Sequence, residues 1–204
     1  MALTYAHSLQ LGTPVISFDL PVANPDVDDR AGNRRSLQDY TGASVLVVVF
    51  NCNHCPYAKH VEPALIEAAR EYQGRGVQFV LINPNDASKY EEDSFEGMVE
   101  RARAKQYPFP YLHDETQEIA HAYDAVCTPD VYAYRNEEGE FLLGYHGRVD
   151  GTRPGNGRST GDELRRALDD LLTGGAVSFP QHPSMGCSIK WKPGVSGKSG
   201  SEQT

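Results

Sequence analysis

The sequence predicts an α/β protein: a mixed β-sheet flanked by helices, with an N-terminal extension and a C-terminal tail. Three observations carry the prediction. Residues 45–50 (Val-Leu-Val-Val-Val-Phe) and 77–82 (Val-Gln-Phe-Val-Leu-Ile) are short, β-branched apolar runs of the kind that become strands covered on both faces. Between them, residues 57–72 repeat apolar side chains every three or four positions, as a helix with one buried face does. Residues 131–145 hold two further strand-like runs around a Gly-containing turn, which reads as a hairpin. Strand–helix–strand implies parallel strands joined by a crossover helix, and the hairpin adds antiparallel ones.

The elements follow in order. Residues 1–13 read as a loose lead-in, and 15–18 as a short strand ended by Pro21. Residues 23–36 are polar and turn-rich, hence a surface loop or hairpin. Ser36 can cap a short helical turn before the strand at 45–50. Pro56 opens the next helix, because a proline at the first helical position lacks only an N–H that would be unpaired anyway. Tyr57, Val61, Ala64, Leu65, Ala68, Ala69 and Tyr72 form its apolar face. Pro63 interrupts its backbone hydrogen bonding and is expected to kink it; Gly74 and Gly76 end it. After the strand at 77–82 come a polar loop at 83–86, a charged helix at 91–105, an extended piece at 109–112 and a short helix at 116–123. The hairpin follows, then a Gly/Arg/Pro loop at 148–160 and an amphipathic helix at 161–172.

Residues 1–173 are thus expected to form one domain, with 174–193 as a tail that docks through Cys187 and Trp191. The Gly/Ser-rich residues 194–204 are expected to be disordered. At 204 residues, 39% of them hydrophobic, the chain needs no metal or disulfide staple to hold a core.

Lys and Arg number 19 against 28 Asp and Glu, a net charge of −9, which disfavours nucleic-acid binding. No apolar run approaches the roughly 18 residues of a membrane-crossing helix, so no membrane partner is expected. The first residues lack a basic segment followed by an apolar one, so the expected compartment is the reducing cytoplasm. In that compartment four cysteines point to catalysis, metal binding or plain core packing before structural disulfides.

The chemistry concentrates at Asn51-Cys52-Asn53-His54-Cys55-Pro56, the junction between a strand and a helix. Free N–H groups and the positive end of the helix dipole favour a thiolate there. A thiolate at Cys52 would attack a substrate disulfide, and Cys55 would resolve the mixed disulfide. Asn53 and His54 lie between them, and His54 can stabilise a neighbouring thiolate, so Cys52 is expected to be acidic and the couple oxidising. Competing readings are a zinc or copper carrier site through Cys52, Cys55 and a histidine (His54 or His60), and two ordinary buried thiols. Haem attachment is excluded, since Pro56 stands where a histidine is required. No bound cofactor is expected.

Phe50-Asn-Cys52-Asn-His-Cys55-Pro56 after a buried strand, with Thr128-Pro129 before a hairpin, resembles the thioredoxin-like superfamily over residues 13–173. Within it the chain looks most similar to the peroxiredoxin-like or redoxin (AhpC/TSA-type) branch. The resemblance implies a thioredoxin-like fold and a thiol–disulfide oxidoreductase. Cys52 would be the attacking thiol and Cys55 the resolving one. It further implies a cis Thr128–Pro129 bond facing the cysteines, with Thr128 backbone groups free to pair with an extended substrate. The partners would be a protein or small-molecule disulfide and a reductant such as thioredoxin or glutathione. An antioxidant thiol peroxidase is the alternative within the branch. The peroxidatic pattern Pro-x-x-x-Thr/Ser-x-x-Cys would, however, put Val48 at the proline and Cys52 at the Thr/Ser.

Cys127 and Cys187 form a candidate second redox pair, with the tail over the active-site groove. The equal alternative is that both simply pack. The loop at 83–86 either lines the site or only connects elements. Arg148 and Arg153 read as surface ion-pair residues, and His113, His121, His146 and His182 as ordinary.

Overall fold

The structure is a computed structural model and describes residues 3–195. In chain order its strands and α-helices begin with β1 (Leu3–Tyr5), β2 (Asp19–Pro21), β3 (Arg34–Ser36), β4 (Val45–Phe50), α1 (Pro56–Tyr72) and β5 (Val77–Asn83). They continue with α2 (Phe95–Lys105), β6 (Tyr111–His113), α3 (Glu118–Ala122) and β7 (Cys127–Thr128). Last come β8 (Asp130–Glu137), β9 (Glu140–Gly147), α4 (Asp162–Leu172) and β10 (Met185–Ser188).

The main sheet has the order β6-β5-β4-β8-β9. β5 runs parallel to both β4 and β6, while β8 runs antiparallel to β4 and β9. This is the mixed sheet that a crossover helix followed by a hairpin implies. All six β4 side chains are buried, and their alternation divides the core. Val45, Val47 and Val49 face a layer that includes Ala64, Leu65 and Ala68 of α1, Met98 of α2 and Leu164 and Leu168 of α4. Leu46, Val48 and Phe50 face the opposite layer, with Phe18, Leu20, Tyr40, Ala120, Tyr123 and the tail residue Ile189. A strand buried on both faces cannot alternate polar and apolar residues, which explains the unbroken Val/Leu run.

α1 runs unbroken through Pro63, which lies on its exposed face. Its buried face takes in Glu62, an acid the apolar pattern does not contain. Glu62 is held by both Arg101 nitrogens at 2.8 and 2.9 Å and by the Tyr107 hydroxyl at 2.5 Å. The turn-rich segment before β4 is a hairpin, β2 against β3. A reciprocal Ser36–Asp39 capping box then opens a 3₁₀ turn at Leu37–Tyr40.

Three expectations need correction. The lead-in is not loose: β1 pairs antiparallel with β10, and β10 pairs with β7, in a second, three-stranded sheet. A three-residue strand has no periodicity to read; pairing across the length of the chain forms it. The first strand of the hairpin lies at Asp19–Pro21 rather than 15–18, where Val15 N–H donates instead to Phe141 O at 2.9 Å. The helix expected at 91–105 is a 3₁₀ turn (Glu91–Asp93) and then α2, because the Ser94 side chain caps α2 by accepting from Gly97 N–H at 3.1 Å. Of the segment expected to be disordered, 194–204, residues 196–204 lie outside the described residues. Among the described residues, no helix is long and apolar enough to cross a membrane.

Candidate active site

β4 delivers the chain to the site at Phe50, and Cys55 is the N-cap residue of α1. Cys52 and Cys55 therefore sit on the last bend before the helix. The Thr128–Pro129 peptide is cis and faces them, as the resemblance implies. Thr128 Oγ1 is 3.0 Å from Cys52 Sγ, and Thr128 O is 3.2 Å from Cys55 Sγ. A third sulfur arrives from the tail: Cys187 Sγ lies 2.8 Å from Cys55 Sγ. Cys52, Cys55 and Cys187 are 2%, 0% and 3% exposed and form one cluster with Ala58.

Three sulfurs this close share their protons unequally. The neighbouring Cys187 and Cys52 sulfurs, joined by the Ala58 backbone N–H of the first helical turn, hold Cys55 far below the ordinary thiol range. Burial pushes the Cys52 thiol up; the Cys55 charge and the Asp93 carboxylate push the same way, and the Thr128 hydroxyl only partly opposes them. Cys187 is raised by its bond to Cys55 and by burial. The surroundings thus favour the thiolate at Cys55 rather than at Cys52, where the sequence places the acidic thiol. The helix N-terminus favours the sulfur it touches, and that sulfur belongs to the capping residue.

His54 does not point at solvent. Its ring stacks on Tyr90, with centroids 3.9 Å apart, and Nδ1 meets Asp93 Oδ2 at 2.5 Å. The other Asp93 oxygen accepts from the Asn53 backbone N–H at 2.6 Å. Asn53 is fixed by its side chain, which donates to Glu92 O at 2.6 Å and accepts from the Tyr111 hydroxyl at 3.0 Å. Cys52, His54 and Asp93 bring one donor atom each within 4.8 Å of one another, and all three residues are buried. His54 Nε2 has no hydrogen-bond partner among the described residues. The set offers sulfur, nitrogen and oxygen donors to a cation, with Asp93 rather than the expected Cys55 as the third ligand. It equally offers a base oriented by a carboxylate beside a thiol.

The loop at 83–86 is part of the site's frame. Asn83 Nδ2 donates to Asp93 O at 3.3 Å, and Asn85 Oδ1 accepts from the Lys190 backbone N–H at 2.7 Å. Gln117 Nε2 donates to Lys190 O at 2.8 Å, and Gln117 Oε1 accepts from the Lys192 N–H at 2.7 Å. These bonds fasten the tail, and with it Cys187, over the cysteines.

A family model for the AhpC/TSA family matches residues 11–150. The chain belongs to the AhpC/TSA family. Solved structures agree. An uncharacterized conserved protein from Geobacillus kaustophilus is 45% identical with a TM-score of 0.87, the match covering 96% of this chain and 99% of that one. A hypothetical protein from Sinorhizobium meliloti 1021 is 41% identical with a TM-score of 0.86, covering 94% and 100%. The thioredoxin domain of a thiol-disulfide oxidoreductase from Bacteroides vulgatus is 17% identical with a TM-score of 0.56, covering 81% and 99%, a likeness of fold. No match was found among curated proteins. This AhpC/TSA chain therefore has a thioredoxin-like fold.

Within that family frame, Cys52, Asn53, His54, Cys55, Thr128 and Pro129 all meet at one place. Cys127 sits just behind, fully buried, its thiol pushed up by burial. The sulfur that meets Cys187 belongs to Cys55, not Cys127; in register Cys187 faces Thr128 and Ser188 faces Cys127. Asp93 and Tyr90 were missed from sequence. Asp93 stands in Glu91-Glu92-Asp93, which reads as one more charged run. Arg148 pairs with Glu163 at 2.6 Å, as expected of an ion-pair residue. His146 is a satisfied core histidine, 3.0 Å from Asp130 and stacked on Tyr132.

Proposed function

We propose that this protein is a thiol–disulfide oxidoreductase whose working dithiol is Cys52–Cys55. The observation that supports it most is the pair of thiols at the junction of β4 and α1, facing a cis Thr128–Pro129. In this reading the His54–Asp93 dyad takes the Cys52 proton, and the Cys52 thiolate attacks one sulfur of a substrate disulfide. The leaving thiolate recovers the proton from His54. Cys55, held as thiolate, attacks Cys52 Sγ and expels the second substrate sulfur as a thiolate, which takes its proton from solvent. Two electrons pass from the dithiol to the substrate, and Cys52–Cys55 becomes a disulfide. The substrates are protein or small-molecule disulfides, and a thiol reductant such as thioredoxin or glutathione resets the pair. The location is the cytoplasm, where buried thiols stay reduced.

Equilibration in glutathione buffers, acid quenching and thiol-trapping mass spectrometry test the proposal. The expected result is a reversible two-electron couple between roughly −120 and −270 mV that Cys52→Ser abolishes. Two rivals have their own signatures. A metal carrier built on Cys52, His54 and Asp93 would purify with one bound metal per chain and turn over no disulfide. A thiol peroxidase would consume hydrogen peroxide faster than it reduces a disulfide. A chain that forms no Cys52–Cys55 disulfide in any buffer overturns the proposal.

A further inference from the structure

The tail strand occupies the place that a substrate would take. The Thr128 backbone, beside the cis proline and the cysteines, is where an extended peptide would pair by strand addition. Here β10 already pairs with it antiparallel, with Cys187 opposite Thr128. The fit is close: a Cβ on Gly186 would stand 1.9 Å from Thr128 O. β10 thus carries a cysteine into the site as a bound peptide would, and sets its sulfur 2.8 Å from Cys55 Sγ. The strand is held there by β1 on its other edge, by the Asn85 and Gln117 bonds to residues 190 and 192, and by Ile189 in the apolar layer.

We propose that Cys187 is a third redox thiol, a built-in exchange partner that takes over the disulfide from Cys52–Cys55 by attack on Cys55. The inference rests on the dithiol chemistry proposed above and deepens it. Once Cys52–Cys55 has formed, the Cys187 sulfur attacks Cys55 Sγ. The Cys55–Cys187 bond forms, the Cys52–Cys55 bond breaks, and the Cys187 proton passes to the departing Cys52 thiolate. No electrons leave the protein in this step. Its products are a free Cys52 thiol and a tail strand covalently locked in the groove. A reductant must then open Cys55–Cys187 before an external strand can pair with Thr128.

The experiment is disulfide mapping of the full chain. Wild type, Cys52→Ser and Cys187→Ser are oxidised with diamide, acid-quenched, alkylated, digested without reduction and read by mass spectrometry. Wild type is expected to give both Cys52–Cys55 and Cys55–Cys187 peptides. Cys52→Ser is expected to give Cys55–Cys187 alone, with oxidised and reduced forms differing in protease sensitivity of the tail. Cys187→Ser is expected to give Cys52–Cys55 alone; Cys187→Ala serves if the serine variant does not fold. Recovery of Cys187 fully alkylated in oxidised wild type and Cys52→Ser, alongside a Cys52–Cys55 peptide in wild type, overturns the relay and leaves the dithiol proposal standing. Absence of both linkages from oxidised wild type overturns both.

Discussion

Gly186→Ala tests how tightly the tail is seated. The new Cβ would lie 1.9 Å from Thr128 O, 2.6 Å from Thr128 C and 3.1 Å from Pro129 Cδ. Real Cβ atoms keep at least 3.0 Å, and the obstructing atoms are backbone, so no side chain can swing away. β10 must retreat by about 1 Å or more, which pulls Cys187 off Cys55 and stretches the pairing with β7. Overpacking of this kind costs about 1–3 kcal/mol. For a chain of this size that lowers the melting temperature by roughly 2–4 °C per kcal/mol. The local effect is larger. If the clash weakens docking by about 2 kcal/mol, the open population rises about thirtyfold. The assay is the rate of maleimide labelling of Cys55 and Cys187 in native protein, followed by peptide mass mapping, alongside a thermal melt. Labelling at the wild-type rate with an unchanged melt would refute the reasoning.

Three further outcomes are expected. Asp150 ties down the loop that leads into α4 by accepting from Ser159 Oγ at 2.5 Å and from the Thr160 and Gly161 N–H groups at 2.9 and 2.8 Å. Burial opposes its charge, but these donors and Thr152 outweigh it and hold the carboxyl at about 2, below its ordinary 3.8. A depressed carboxyl stabilises the fold above its unfolded pKa and loses that contribution as pH falls toward the folded one. With solvent screening, Asp150→Asn should therefore cost about 1–2 kcal/mol at pH 7. The gap between the melts should close between about pH 4 and 2, and a gap that does not narrow refutes the assignment. Asp93→Asn should slow disulfide exchange on the order of 10²-fold and move its pH profile, as expected when an acid–base pair is lost. A slower rate with an unmoved profile would mean that Asp93 only holds structure. Cys127→Ala should leave the dithiol potential unchanged and cost about 1 kcal/mol in a denaturant melt; a shifted potential would make Cys127 a redox participant.

The frame of this protein is legible in its sequence because it is local. Val45–Phe50 is apolar without interruption, and that is what a strand between two helical layers requires. Pro56 marks the start of α1 by its own stereochemistry, and the spacing of Cys52 and Cys55 against it locates the site. What the sequence hides is long-range. Asp93 lies 39 residues from His54, and Cys187 lies 132 residues from Cys55. Neither contact leaves a periodicity or a spacing. Which of the two thiols is the more acidic is hidden for a related reason. A helix N-terminus can be placed by eye, but which sulfur receives the Ala58 N–H and the Cys187 thiol depends on the fold.

The order of synthesis gives β10 a further meaning. Cys187 leaves the ribosome 132 residues after Cys55. At translation speeds of about 5–20 residues per second, the interval is roughly 7–26 s. During that time β10 has not been made, and the Cys55 sulfur and the Thr128 backbone lack the partners it brings. The order of synthesis therefore makes the last strand to be formed the one that covers the cysteines in the finished protein.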